Sequence, residues 1–215
     1  MSNIVQKVWR ILDNNPSIKR DLSLGLINTS ALARYLIQEK KINGTLDGVI
    51  GAIRRYDYGK HEEIFSKAYN LLGQTINLFT RKKIAEIALK KDEDVQQLLP
   101  KLFDIIKYIQ GDILRIMQAN ESVRLLIDEK NLEKVMKNFP KTKILALEKD
   151  LAEIDIYIHP DMQDTPGILA VIANEFAINE INIVEVMTCP PEMLFIVKGE
   201  DLIQVHDVLN KLCQS

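Results

Sequence analysis

Residues 152–198 read AEIDIYIHPDMQDTPGILAVIANEFAINEINIVEVMTCPPEMLFIVK. Ile154, Ile156 and Ile158 alternate with Glu153, Asp155 and Tyr157, the period of a half-buried strand. A turn rich in Asp and Pro follows and closes on Gly167. Ile168, Leu169, Ile172 and Phe176 then recur at helical spacing. Two further apolar runs are split by Cys189-Pro190-Pro191. The order is strand, Gly-bearing loop, helix, strand, turn, strand, which predicts a split βαβ sheet with helices on one face.

Working outward, Leu202, Val205, Val208, Leu209 and Leu212 predict a last helix. The same order occurs upstream. Thr75 to Thr80 and Lys83 to Leu89 read as strands. A helix is predicted from the acidic run Asp92-Glu93-Asp94 to Ile109, kinked or delayed at Pro100. Apolar runs Ile113–Met117 and Val123–Ile127 flank Ala119-Asn120-Glu121, a hairpin signal. A short helix at Leu132, Val135 and Met136 and a strand at Ile144–Leu147 complete it. The chain thus carries an internal repeat of element order with a period of about 70 residues. The second copy ends on its helix, so its missing edge strand is expected from Thr75–Thr80 or from another subunit.

Residues 1–60 differ in kind. Ten basic residues stand against five acids there, a net +5, while the whole chain is −2. Such asymmetry points to a polyanionic partner for the basic part. The segment predicts four short helices, with caps at Asn15-Pro16, Asn28-Thr29-Ser30 and Thr45. Leu32, Tyr35 and Leu36 form the third stripe, and Leu46, Val49, Ile50 and Ile53 the fourth. Arg54 and Arg55 close the fourth helix, with Lys60 beyond. Two helices ending in a basic pair resemble a helix-turn-helix element, which implies DNA contact through these three residues. The turn from Lys40 to Gly44 is longer than that motif uses, so a docking or dimerising bundle stays open.

Asp164-Thr165-Pro166-Gly167-Ile168-Leu169-Ala170, followed by Ile181-Asn182-Ile183 and a hairpin, resembles an ACT domain. Residues 74–213 resemble the tandem ACT regulatory region of aspartokinases. The fold class is therefore read as α+β, a helical, helix-turn-helix-like domain followed by two ferredoxin-like βαββαβ modules. The divisions are 1–60, 74–149 (the degenerate module) and 150–215. The resemblance implies a regulatory protein with paired ACT domains that bind a free amino acid as effector. By residue match, Asp164, Thr165, Gly167, Ile168, Leu169, Asn182 and Ile183 are the ligand-binding candidates. An alternative reading of the loop makes Asp164 or Thr165 a helix cap with Pro166 at the first helical position. The acids at Asp92–Asp94 would repel a carboxylate, so no such site is expected in the first copy.

No G-x-x-x-x-G-K-[ST], G-x-G-x-x-G or H-E-x-x-H motif occurs. His159 and His206 lack a nucleophile or metal partner in sequence, and His61 beside Glu62 and Glu63 reads as a solvated helix start. Neither enzyme activity, cofactor nor metal is expected. Cys189 and Cys213 suggest free thiols. With no signal segment or apolar run of membrane-spanning length, the expected location is the cytoplasm. Edge strands invite pairing, so a homodimer is expected, with DNA or a metabolic enzyme as partner.

Overall fold

The computed structural model describes residues 4–57, 61–74 and 77–213, with side chains 61–64 excluded. Lys60, with the expected domain boundary there, and Thr75 and Ile76 lie outside the described residues, as do the side chains of His61, Glu62 and Glu63. The chain forms two compact units, residues 1–68 and 69–215.

The first unit is helical: α1 (Ile4–Asp13), α2 (Pro16–Ser23), α3 (Thr29–Gln38) and α4 (Leu46–Arg54). Asn28 accepts from the amides of Ser30 and Ala31, and Thr45 accepts from Gly48, so both predicted caps form. Asn15 instead turns its amide back to the carbonyl of Ile11. Val8, Leu12, Leu32, Ala33, Leu36, Val49, Ala52 and Ile53 make the core. Trp9 Nε1 donates to the carbonyl of Ala52 at 2.9 Å, tying α1 to α4. Tyr56, just beyond α4, donates to Asp13 at the end of α1. Burial and that carboxylate together push the Tyr56 hydroxyl well above its ordinary pKa. Two residues expected inside are exposed: Tyr35 on α3 and Leu46 at the first turn of α4. Ala33 and Ala52, which the expected stripes did not include, are fully buried in the core. α5 (His61–Leu72) leads into the second unit.

That unit is a sheet with helices. In chain order it runs β1 (Leu78–Lys90), α6 (Glu93–Leu98), α7 (Leu102–Ile105), β2 (Leu114–Gln118), β3 (Ser122–Asp128), α8 (Leu132–Met136), β4 (Ile144–Tyr157), α9 (Pro160–Gln163), α10 (Ile168–Ile178), β5 (Glu185–Cys189), β6 (Glu192–Lys198) and α11 (Leu202–Cys213). The six strands are ordered β2-β3-β1-β4-β6-β5, and every neighbouring pair is antiparallel. The order is symmetric in role: hairpin, long strand, long strand, hairpin.

Four expectations change. Leu78–Lys82 and Ile84–Leu89 belong to one strand, β1, and Ile144–Leu147 runs without a break into Ile154, as β4. Each long strand pairs with the other along most of its length, from Leu78↔Ile156 to Leu89↔Ile144. The expected edge strand is thus present from Leu78 onward, and it belongs to the same strand as the first copy's opening. Charged residues sit at the bends of these strands. Lys83 (φ 60) and Asp150 (φ 56) adopt the left-handed region, and their side chains form a 2.7 Å ion pair. The predicted helix to Ile109 is broken into α6, a 3-10 turn at Leu99–Lys101, and α7. Pro100 lies in that 3-10 turn, where its missing amide is harmless. Ile109, expected on the apolar face, is fully exposed.

One face of the first half of the sheet packs Ala85, Ile87, Leu89, Leu125 and Ile127 against Val95, Leu99, Leu102, Leu132 and Val135 from α6 to α8. In the second half Ile154, Ile156, Ile172, Val205 and Leu209 are buried, and Phe176 meets Phe195 edge-on at 5.3 Å. Each fully buried side chain of this size contributes about 1.5–3 kcal/mol.

The opposite face gathers residues of both halves: Ile84, Ile113, Leu126, Leu151 and Ile196. Arg115 on β2 holds Glu153 on β4 through two bonds of 3.2 Å, across two intervening strands. Arg124 on β3 bridges Glu86 and reaches Glu185 on β5, at 3.3 Å, across three. In a flat sheet those partners would stand roughly 14 and 19 Å apart. The sheet therefore curls toward this face, with the bends at Lys83 and Asp150 in its two central strands.

Candidate functional site

The connection from β4 to α10 is built by local hydrogen bonds. Ile158 N donates to Pro191 O at 2.7 Å, which fixes the end of β4 beside the β5–β6 turn. His159 then caps α9, its Nδ1 accepting from the Asp161 amide, with Pro160 opening the helix. Thr165 is buried, and its hydroxyl donates to Asp161 O at 2.6 Å. Gly167 follows at φ 97 as the N-cap of α10. A side chain there would be strained, which accounts for the glycine. The capping alternative is corrected by this geometry. Neither Asp164 nor Thr165 caps α10, and Pro166 lies before the helix.

A cavity of about 410 Å³ opens at this connection, lined by Ile158, Met162, Gln163, Thr165, Gly167, Ile168, Leu169, Ala170, Thr188, Pro190 and Met193. Ile158, Met162, Ile168 and Met193 are buried, while Leu169 is 42% exposed. The first amides of α10 have no partner inside the helix, because the ladder begins with Val171 N to Gly167 O at 2.9 Å. The cavity thus combines apolar walls, three neutral polar side chains and a helix start that favours negative charge.

Of the predicted residues, the structure brings Thr165, Gly167, Ile168 and Leu169 together around this cavity. Asp164 follows α9, exposed, and is not among the lining residues. Asn182 and Ile183 precede β5, which starts only at Glu185, so the expected asparagine-bearing strand begins later than the sequence suggests. Sequence reasoning missed Ile158, Met162, Gln163, Ala170, Thr188, Pro190 and Met193 as lining residues. Their only signal was the Cys189-Pro190-Pro191 turn. The turn's approach to the end of β4 depends on β6 pairing with β4, from Tyr157↔Glu192 onward.

The corresponding connection after β1 is different. Asp92 caps α6 through the Val95 amide, and Lys143 Nζ reaches Asp92 at 2.6 Å and Asp94 at 2.8 Å. The hydrogen bond from Lys143 holds the Asp92 carboxyl below its ordinary pKa. In the first unit, Arg54 ends α4 and Arg55 follows it, both exposed. Among the described residues no group of three His, Cys, Asp or Glu is placed to hold a metal ion. No helix among them is long and apolar enough to cross a membrane.

No protein-family model matches the sequence. No curated protein matches it. Solved structures do. The chain is similar to the regulatory subunit of aspartate kinase from Thermus thermophilus at 12% identity and TM-score 0.53, covering 65% of this chain and 98% of that one. It is similar to the aspartokinase alpha and beta subunits at 14% identity and TM-score 0.52, covering 64% and 97%. For the aspartate kinase of Clostridium acetobutylicum the identity is 16% and the TM-score 0.52, covering 65% of this chain but 35% of that one. The chain therefore spans about a third of that allosteric kinase. Over some 65% of its length it has the fold of the ACT-type regulatory region of aspartate kinases.

Proposed function

We propose that this chain is a non-enzymatic, cytoplasmic regulatory protein that senses a free amino acid in the cavity at the start of α10. The observation that carries the reading is the cavity itself. At about 410 Å³ it falls in the lower part of the range of small-molecule sites. Ile168, Leu169 and Ala170 line it and form the first turn of α10, whose amides lack partners within the helix and suit an α-carboxylate. The shared fold with regulatory subunits supports the same reading. Asp164, Asn182 and Ile183 remain part of the proposed site as residues that a bound partner module would cover. On this reading residues 74–149 and 150–215 are two ACT-like βαββαβ modules, supported by the strand order β2-β3-β1-β4-β6-β5. Each module takes its fourth strand from the continuation of the other's first. The outermost strands β2 and β5 leave edges through which a homodimer could pair.

The test is equilibrium dialysis of the full chain against a mixture of the twenty amino acids at about millimolar concentration. Retention of an amino acid, lost in Gly167→Val, supports the reading. Failure to retain any of them sinks it.

Two outputs are open to the first unit. The net +5 charge of residues 1–60 and the exposed Arg54 and Arg55 favour DNA, making the chain a transcriptional regulator, with Lys60 as a third contact. The similarity to kinase regulatory subunits favours a metabolic enzyme as partner, with the helical unit docking on it. Arg54→Ala with Arg55→Ala separates them. The pair should weaken retention on DNA and reduce its salt dependence by about two phosphate contacts. No retention on DNA at low salt removes the first output.

A further inference from the structure

The lining of the cavity at α10 bears on what kind of amino acid it takes. We infer that it selects an amino acid with a neutral, apolar side chain of the size of leucine or methionine, and rejects lysine, arginine, aspartate and glutamate. This rests on the amino-acid-sensing reading and goes beyond it.

The lining contains no Asp, Glu, Lys, Arg or His. Seven of its residues are apolar: Ile158, Met162, Ile168, Leu169, Ala170, Pro190 and Met193. The polar side chains are Gln163, Thr165 and Thr188, all neutral. Thr165 already gives its proton to Asp161 O, so it offers a ligand acceptor capacity only. A zwitterion's carboxylate has the α10 amides available, and its ammonium has oxygen acceptors on Gln163 and Thr188. A second charge on the ligand's side chain has nothing of opposite sign to meet. Asp161 and Asp164 neighbour the lining residues in sequence, but both are exposed and outside the lining. A charge desolvated without a partner loses its hydration and gains no ion pair. An apolar side chain, in contrast, replaces water against two methionines, two isoleucines and a leucine. The flexible thioethers of Met162 and Met193 fit unbranched and branched chains alike.

The clamp at the corresponding connection of the first half sharpens the contrast. There Asp92 and Asp94 face a cation, and that cation is the chain's own Lys143. Charge recognition at these connections is thus satisfied internally in the first half and not provided in the second.

The experiment is a calorimetric titration of the full chain, in turn, with leucine, methionine, lysine and aspartate, repeated on Leu169→Asp. Leu169 is 42% exposed, so the variant folds, and circular dichroism verifies it. The expected result is that leucine or methionine binds at least about a hundredfold tighter than lysine or aspartate. In Leu169→Asp, binding of leucine should fall about tenfold or more while lysine becomes detectable, since the new carboxylate supplies the missing counter-charge. Lysine or aspartate binding the unaltered chain as tightly as leucine would overturn the selectivity and leave amino-acid sensing standing. Binding of leucine unchanged by Leu169→Asp would place the site elsewhere. Silence with every amino acid would overturn sensing itself.

Discussion

Replacing Asp155 by asparagine should make the protein more stable, and only at neutral and alkaline pH. Asp155 lies on β4 between Ile154 and Ile156, both fully buried. Its Oδ1 is buried and has no hydrogen-bond partner among the described residues. Burial, and then the neighbouring Glu153 carboxylate, push its pKa from 3.8 up to about 6, with Arg115 pulling the other way. In the unfolded chain the ordinary value applies. Between about pH 4 and pH 6 the folded state therefore holds more protons than the unfolded one, and stability falls as pH rises. Above pH 6 the full cost is present. At about 1.36 kcal/mol per unit the displacement corresponds to about 3 kcal/mol. Water reaching the half-buried carboxylate reduces that to on the order of 1–2 kcal/mol. An asparagine side chain has the same shape and no charge, so in Asp155→Asn that slope disappears. Urea unfolding followed by far-ultraviolet circular dichroism, at about pH 4.5 and pH 8, reads the difference. Fluorescence would not serve, because Trp9, the single tryptophan, lies in the other unit. The expected gain is on the order of 1–2 kcal/mol at pH 8 and little at pH 4.5, or about 3–6 °C in melting temperature at the higher pH. An effect of equal size and sign at both pH values would refute the argument, since only titration of the carboxyl makes it depend on pH.

Other changes probe other parts of the fold. Arg115→Ala leaves the 2%-exposed Glu153 without its two bonds, and should cost about 3–5 kcal/mol, whereas Arg115→Met with Glu153→Leu should be close to neutral; denaturant midpoints decide between them. Phe176→Ala removes a fully buried ring and its edge-on contact with Phe195, and should cost about 3–5 kcal/mol by the same measurement. Asn28→Ala deletes the cap of α3 and should cost about 1 kcal/mol, read from Trp9 fluorescence in the first unit, with Asn28→Asp restoring most of it.

The parts of this architecture that could be read in sequence are those where side-chain period and burial agree. Ile154, Ile156 and Ile158 alternate because one face of β4 is core, and all three are buried. Asn28 and Thr45 announced their helices because capping is a local matter. The loop at Gly167 was legible because a left-handed residue before a helix is written as glycine. What escaped was set by pairing at long range. From Leu145 to Asp150, β4 is exposed, so its residues carry no buried period, although Ala146, Leu147 and Glu148 pair with β1. The expected module boundary between Lys149 and Asp150 therefore falls inside this strand. The far wall of the cavity escaped for the same reason. Thr188, Pro190 and Met193 meet the loop only because β6 lies beside β4. The break of the long helix at Leu99–Lys101 was half visible through Pro100, while the exposure of Ile109 had no local sign.

The interlocked central strands have a consequence for synthesis on the ribosome. Leu78–Lys82 emerges early, yet its partners, Ile156 to Ala152, follow some seventy residues later. At about 5–20 residues per second that stretch waits for several seconds with its backbone groups unmatched. It carries Phe79, an invitation to wrong pairing, but Arg81, Lys82 and Lys83 follow at once. Three adjacent positive charges repel a second nascent copy of the same stretch and act as gatekeepers until β4 arrives. The basic run thus guards the interval in which the sheet exists only by halves.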